Sequence, residues 1–228
     1  PAARSAHIAV YDAARQRVVV FGGYDSTYRT DTWEWNGTTW AQRALGTSPP
    51  GRQSAAAAYD PHRKQVVIHS GWGAGAKLAD TWTLGATATA WVALDGAPPS
   101  ARAYHAVAYD KHRGRLVLFG GADASGPTND TWEWDGASTS WAKRTPPSSP
   151  PKRSQHALAY DERRQKVILF GGIGAGFLND TWEWDGDAVT WTERAPAVAP
   201  SARYSHALAD DPSRGRVLLV GGMPAAGG

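Results

Sequence analysis

The chain contains no cysteine in 228 residues, which removes disulfides, thiolate metal sites and cysteine nucleophiles from the possible chemistry. A cysteine-free chain suits any redox compartment, so the absence does not assign one. No apolar stretch approaches the roughly 20 residues that a membrane-spanning helix needs. There is no basic run either. Lys and Arg number 24 against 21 Asp and Glu, the formal net charge is +3, and the Arg residues are spread at regular intervals. A surface that tracks phosphates needs clustered cations, so nucleic-acid binding is set aside. No window shows a ten-residue helical pattern, and no G-x-S-x-G nucleophile signature occurs.

What the chain has instead is a repeat of about fifty residues. Arg recurs at Arg4, Arg52, Arg102, Arg153 and Arg203, at intervals of 48, 50, 51 and 50. Three residues later come His7, His105, His156 and His206, with Ala55 in the second copy. Each copy then runs through a segment ending at Asp12, Asp60, Asp110, Asp161 or Asp211, and a short basic turn leads to VVVFGG, VVIHSG, LVLFGG, VILFGG or VLLVGG. A variable segment follows, then DTWEWNG, DTWTLGA or DTWEWDG, then a further Trp at Trp40, Trp91, Trp141 or Trp191. Agreement at this many positions makes the repeat the first fact about the fold.

The segments read as strands. Period-two alternation in D-T-W-E-W-D sends both Trp to one face and Thr, Glu and Asp to the other. The β-branched apolar runs are those of a strand covered on both faces, and they end in Gly-Gly. Each unit therefore reads as four strands: A (as in HALAYD), B (KVILFGG), C (DTWEWDG) and D (TWTERAP). A small antiparallel sheet with two apolar faces must stack on copies of itself, and radial stacking gives a propeller. The units are 1–48, 49–97, 98–149, 150–199 and an incomplete 200–228. The expectation is an all-β chain, 1–228, forming one propeller domain of four complete units and a half unit.

Arg-x-x-His-Ala…Tyr-Asp, then VVVFGG, then DTWEWDG…Trp, resembles the kelch repeat over essentially the whole chain, in a variety that looks bacterial. The resemblance implies four-stranded blades with strand A innermost. It implies a protein-interaction platform more often than an enzyme, and it points toward an extracellular or cell-surface setting. Some kelch proteins are copper-radical oxidases, but that chemistry needs a Cys cross-linked to Tyr, and there is no Cys. Repeat two departs from the pattern at Ala55, His69-Ser70-Gly71 and Leu84. Strands C and D are missing from the fifth copy. The chain is accordingly expected to be part of a longer propeller of six or seven blades. The alternatives are a five-bladed ring with a half blade, or completion by self-association with another subunit.

Antiparallel alternation puts the B–C and D–A connections at one end of a blade and the A–B and C–D connections at the other. The A–B turns are near copies of one another, as expected of Asp-initiated turns. The B–C segments 24–30, 72–79, 122–129 and 173–179 differ freely, as a recognition surface on a fixed scaffold would. Its anchors are Tyr24, Tyr28, Arg29, Trp72, Lys77 and Phe177, with Tyr104 and Tyr204 from the lead-in to strand A, residue types that dominate interface energy. The Arg series could ring a central channel and attract an anion. The structural alternative, pairing with Glu34, Glu133 or Glu183 between blades, is preferred because the Arg recurs even in degenerate repeat two. For the His series, bonding to neighbouring backbone is preferred over metal ligation, since residues fifty apart guarantee no convergent geometry. The repeating Glu residues read as surface or inter-blade carboxylates, because catalytic groups should be singular. The reading is a non-enzymatic protein- or peptide-binding scaffold without cofactor or metal. A carbohydrate-binding propeller is the first alternative, and an epimerase- or lyase-like enzyme on anionic sugars the second.

Overall fold

In the computed structural model, which describes residues 1–225, every helix is absent among the described residues and the regular elements are strands. The first repeat forms β1 (Ile8–Asp12), β2 (Arg17–Phe21), β3 (Thr32–Trp35) and β4 (Trp40–Arg43), hydrogen-bonded in chain order. The second forms β5 (Ala56–Asp60), β6 (Gln65–Gly73), β7 (Ala76–Gly85) and β8 (Val92–Leu94) in the same order. In the third, β9 (Ala106–Asp110) and β10 (Arg115–Phe119) are followed by a small ribbon of β11 (Ala122–Asp123) and β12 (Gly126–Pro127). The sheet then continues with β13 (Thr131–Asp135) and β14 (Ser140–Arg144). The fourth is β15 (Ala157–Asp161), β16 (Lys166–Ile173), β17 (Phe177–Asp185) and β18 (Thr190–Arg194). Last come β19 (Arg203–Asp211) and β20 (Arg216–Pro224), a two-stranded sheet.

The pairing is antiparallel and its register repeats. Val20, Val19 and Val18 stand opposite Trp33, Glu34 and Trp35. Leu118 and Val117 oppose Trp132 and Glu133, and Leu169, Ile168 and Val167 oppose Trp182, Glu183 and Trp184. The apolar run is the second strand of each complete sheet, with neighbours on both sides, so its residues are sealed off: Val19, Val67, Val117 and Val167 are all at 0% exposure. This is why the run needs no polar face.

The chain divides into two compact units, one of Pro1–Ala103 with Gly136–Ser140 and the other of Tyr104–Asp135 with the chain from Trp141 on. In the first, Ile8, Val10, Val19 and Phe21 of one sheet meet Val66, Ile68, Leu84 and Trp91 of the next. In the second, Ala108, Val117 and Phe119 meet Leu158, Tyr160, Leu169, Trp184 and Trp191. Each face is keyed by an indole. Trp91 lies 5.5 Å from the Phe21 ring and donates to Thr32 Oγ1 at 3.0 Å; Trp191 lies 5.2 Å from Phe119 and donates to Thr131 Oγ1 at 2.9 Å. Burying an indole of 150–250 Å² at about 25 cal/mol/Å² is worth roughly 4–6 kcal/mol before entropy. Trp33, Trp132 and Trp182, the first indoles of the WEW triplets, are half-buried, whereas the second indoles Trp134 and Trp184 are fully buried.

The Gly-Gly corner of the second strand requires glycine for two reasons at once. Gly171 and Gly172 have φ of 62° and 100°, a region costly for side chains. Neighbouring backbone also crowds them: a Cβ on Gly171 would come 2.8 Å from the Arg203 carbonyl oxygen, and one on Gly172 would come 2.7 Å from that of Ser154. The strand bulges there, between Phe170 and Gly172. Replacing Gly172 by Ala is expected to destabilise the protein by about 2–4 kcal/mol, strain and overpacking together. Gly176→Ala, where a Cβ meets nothing within 4 Å, should change the melting temperature little. Equal melting temperatures for the two variants would refute this account of the glycine pair.

Candidate binding face

Within each unit the lead-in to one strand A lies beside the glycine pair of the preceding sheet. Gly23 N donates to the Arg52 carbonyl at 2.8 Å, Gly71 N to that of Arg102 at 2.9 Å, and Gly121 N to that of Arg153 at 2.9 Å. The B–C and D–A segments of successive blades thus interleave at one end.

The Arg series is the hub of that end. Arg52 donates to both carboxylate oxygens of Asp80 at 2.7 Å and to the Ser70 carbonyl at 2.9 Å. Arg153 makes the same fork with Asp180 at 2.6 Å and reaches the Gly171 carbonyl at 3.0 Å; Arg4 does so with Asp31 and Gly22. Arg102 is equally buried and donates to Ser100 Oγ and to the Ser100 carbonyl. Arg52, Arg102 and Arg153 are at most 1% exposed. The carboxylate that the Arg meets is therefore the Asp of the D-T-W motif in its own blade, and not Glu34, Glu133 or Glu183. That Asp also receives the indole N–H two residues on, from Trp33, Trp82 and Trp182 at 2.6–2.7 Å. Period-two alternation sets Asp and Trp two apart on one side of the strand, so the Arg fork and the indole converge there; which arginine arrives from the neighbouring strand is what the sequence did not show. Arg203, in the half unit, is half-buried and donates to Ser201 and to the Gly221 carbonyl.

The Glu residues belong to a second cluster, beside the A–B turns. Arg113 of the turn and Arg144 of β14 both donate to Glu133, which is 1% exposed. Arg15 with Arg43 does the same for Glu34, and Arg164 with Arg194 for Glu183. Glu133 also accepts the Trp184 N–H of the next sheet at 3.2 Å. The signal in the sequence was Arg at the fourth position of every A–B turn; repeat two has Thr83 where the others have Glu, and its Arg63 bonds to Asp60 instead.

The anchors form small separate groups, with Tyr24, Tyr104 and Phe177 exposed and Tyr28, Arg29, Trp72, Lys77 and Tyr204 half-buried. In the first unit, the Tyr24 and Tyr28 rings lie 5.1 Å apart, and Arg29 is forked onto Asp25. Trp72 and Lys77 are strand residues, not loop residues. They pair across the two-residue turn Ala74-Gly75, whose φ values of 46° and 83° suit a tight hairpin, and Lys77 Nζ sits 5.7 Å above the indole. In the second unit, Phe177, 46% exposed, is stacked on Tyr204 with ring centroids 5.4 Å apart and planes at 14°, and Tyr104 is exposed too. Phe177 is likewise a strand residue, the first of β17.

Of the His series, His105, His156 and His206 are buried, whereas His7 is exposed. His206 bonds to the Phe170 carbonyl of the neighbouring sheet at 3.1 Å, and His156 lies edge-on to Phe119. His69, which replaces Phe in repeat two, sits between Thr81 and Ser70 hydroxyls at 3.0 Å. Among the described residues no three His, Cys, Asp or Glu side chains converge as a metal-holding group.

Two predictions follow from the charges. Burial, reinforced by nearby Arg charges, lowers the pKa of His69 and of His156 from 6.5 to about 3. The unfolded chain thus binds more protons than the folded one between those limits. Stability is complete above pH 6.5 and falls below it, by up to about 1.4 kcal/mol per pH unit per histidine. Asp31, held near 2 by the hydrogen bonds from Arg4 against an ordinary 3.8, loses its contribution only below about pH 4. A urea midpoint as high at pH 5 as at pH 7.5 would contradict this. Asp180→Asn leaves the Arg153 guanidinium buried and half paired, and should cost about 3 kcal/mol, read from the same urea titration.

Compared with known families, residues 30–222 match the model described as the KLHDC2/KLHL20/DRC7 Kelch-repeats domain. A comparison with curated proteins finds no match.

Proposed function

The chain belongs to the kelch-repeat family, whose domains serve generally as protein-interaction scaffolds, and from that premise we propose that it is a non-enzymatic scaffold binding a protein or peptide at the end where the B–C and D–A segments interleave. The observation that carries the reading is the division of labour among its polar and aromatic groups. The Arg, Asp and Glu residues that recur in register are spent on one another inside the blades. The aromatic residues that differ from blade to blade stand at the surface, each already propped by a neighbour: Tyr24 by Tyr28, Trp72 by Lys77, Phe177 by Tyr204. Such propped rings lose little conformational freedom on binding, which favours them as anchors. Glu34, Glu133 and Glu183 occupy equivalent places and are clamped by Arg, an arrangement suited to holding sheets together rather than to acid–base chemistry, which needs carboxylates in unlike environments.

Flat exposed rings also suit sugars, and the parallel Phe177–Tyr204 stack is the feature that favours a glycan as the second reading. The two readings separate by selecting peptides from a displayed library against the protein and screening it in parallel on a glycan array. Selected peptides should lose about tenfold or more in affinity with the Tyr28→Ala/Trp72→Ala or the Phe177→Ala/Tyr204→Ala double variant. Ligands that bind both double variants as tightly as the parent protein would remove this end of the blades from the binding account.

A further inference from the structure

Where the second strand of a sheet begins, it faces the end of the third, and the two residues that meet there are matched in charge in three repeats and mismatched in the first. In repeat three Arg115 stands opposite Asp135, and their side chains pair at 2.5 Å. In repeat four Lys166 pairs with Asp185 at 2.6 Å. Repeat two carries neither charge, since Gln65 faces Gly85. In repeat one the Val18–Trp35 pair, like Leu116–Trp134, leads one residue on to the equivalent position. The register there sets Arg17 opposite Asn36, a cation opposite an amide. Arg17 approaches a carboxylate, that of Glu34, only to 4.0 Å, and its side chain is 39% exposed.

The turn that Asn36 opens is the one that Asp185 opens in repeat four. Asn36 Oδ1 accepts from the Thr38 and Thr39 backbone N–H groups at 2.9 and 2.8 Å, as Asp185 Oδ1 accepts from those of Asp187 and Ala188 at 3.1 and 3.2 Å. A carboxylate therefore fits the same turn. Asn36 differs in its chemistry. The residue after it is Gly37, both are exposed, and a Cβ on Gly37 would meet nothing within 4 Å. Among the described residues no hydrogen bond holds the Gly37 N–H. Thr38 Oγ1 adds a third donor to Asn36 Oδ1 at 2.8 Å. Donors converging on a carbonyl oxygen stabilise the negative charge that attack on its carbon creates. The Nδ2 amide, the group that would leave, is engaged by none of these bonds.

We propose that Asn36 is a site of spontaneous conversion to aspartate, and that the new carboxylate completes with Arg17 the cross-strand ion pair that repeats three and four already contain. The Gly37 backbone nitrogen, its proton passed to solvent, attacks Asn36 Cγ. The Cγ–Nδ2 bond breaks, and Nδ2 takes up a proton from water and leaves as ammonia. Water then opens the cyclic imide. Breaking the new Cγ–N bond gives aspartate, and breaking the original backbone C–N bond gives isoaspartate. Water is consumed, ammonia is released, and nothing is oxidised or reduced. Aspartate keeps the turn that Asp185 shows to be compatible with an acid. Isoaspartate lengthens the backbone inside a turn closed by the Asn36 N–H donating to the Thr39 carbonyl at 3.3 Å. The other asparagines, Asn129 and Asn179, are each followed by Asp, whose side chain obstructs the attack and whose charge disfavours deprotonation of the nitrogen. The site lies on a C–D connection, at the blade end away from the proposed binding face.

The whole chain, held folded in mildly alkaline buffer and sampled over time, tests the first half of the proposal by tryptic digestion and mass spectrometry. The peptide of residues 30–43 should gain the mass that separates an acid from an amide and split into an aspartate and an isoaspartate form. Peptides carrying Asn129 or Asn179 should stay unconverted over the same period. The second half is read from urea titrations at neutral pH. Asn36→Asp should raise the midpoint by about 0.1–0.4 M, the size expected of a half-exposed ion pair. In an Arg17→Gln background the same substitution should leave the midpoint where it was. Conversion of Asn36 no faster than of Asn129 and Asn179, or isoaspartate formed without aspartate, overturns the proposal. So does an Asn36→Asp variant that is no more stable than the parent, or one whose gain survives the loss of Arg17.

Discussion

In the second and fourth repeats one arginine, Arg52 or Arg153, ties three pieces of backbone together. Its carbonyl accepts from the glycine pair of the preceding sheet, its guanidinium forks onto the Asp of its own third strand, and the same guanidinium reaches the carbonyl of its own Gly-Gly corner, or of Ser70 in repeat two. Because the carboxylate and the carbonyl are fixed on adjacent strands, the fork has a single geometry, which a flexible ammonium would not enforce. The paired charges are buried but not isolated: burial opposes ionisation of Asp80 and Asp180, and the hydrogen bonds and charge of Arg52 and Arg153 outweigh it, leaving both carboxyls below their ordinary range. Such a pair adds less to stability than it does to uniqueness, since removing either partner strands the other.

The aromatic packing works on the same terms. A half-buried first indole donates to that Asp; in the third and fourth repeats a fully buried second indole lies on the core face, and Trp184 spans to the Glu of the previous sheet. The bonded indoles, among them Trp182, Trp184 and Trp191, supply apolar area with their bodies and directional specificity with their N–H groups, whereas Trp134 contributes by packing alone. Polar residues that recur in every repeat are absorbed in this way. The residues left to vary, at the B–C end, are carried on hairpins whose roots are held by backbone bonds, so they can change without disturbing the sheets.

Sequence and structure agree where the physics is local or periodic. Strand identity, strand order, the Asp-initiated A–B turns and the need for Gly-Gly all follow from alternation, burial and φ requirements read along one repeat. Disagreement arises where partners are chosen across strands. Glu34, Glu133 and Glu183 were the expected partners of the Arg series, yet they pair with the turn and fourth-strand arginines, because the fork at the end of the third strand was already taken by Asp. Trp72, Lys77 and Phe177 were placed in loops and prove to be strand residues, because the second and third strands of repeats two and four continue past the glycine bulge as hairpins.

The amino-acid sequence alone determined that this chain is an all-β kelch repeat and which residues recur, since periodicity is written in one dimension. Which arginine meets which carboxylate, and which indole is sealed and which is left at the surface, were decided only in three dimensions. Hydrogen-bond forks and apolar slots are made by atoms of different strands, and their complementarity exists only once the register between those strands is set.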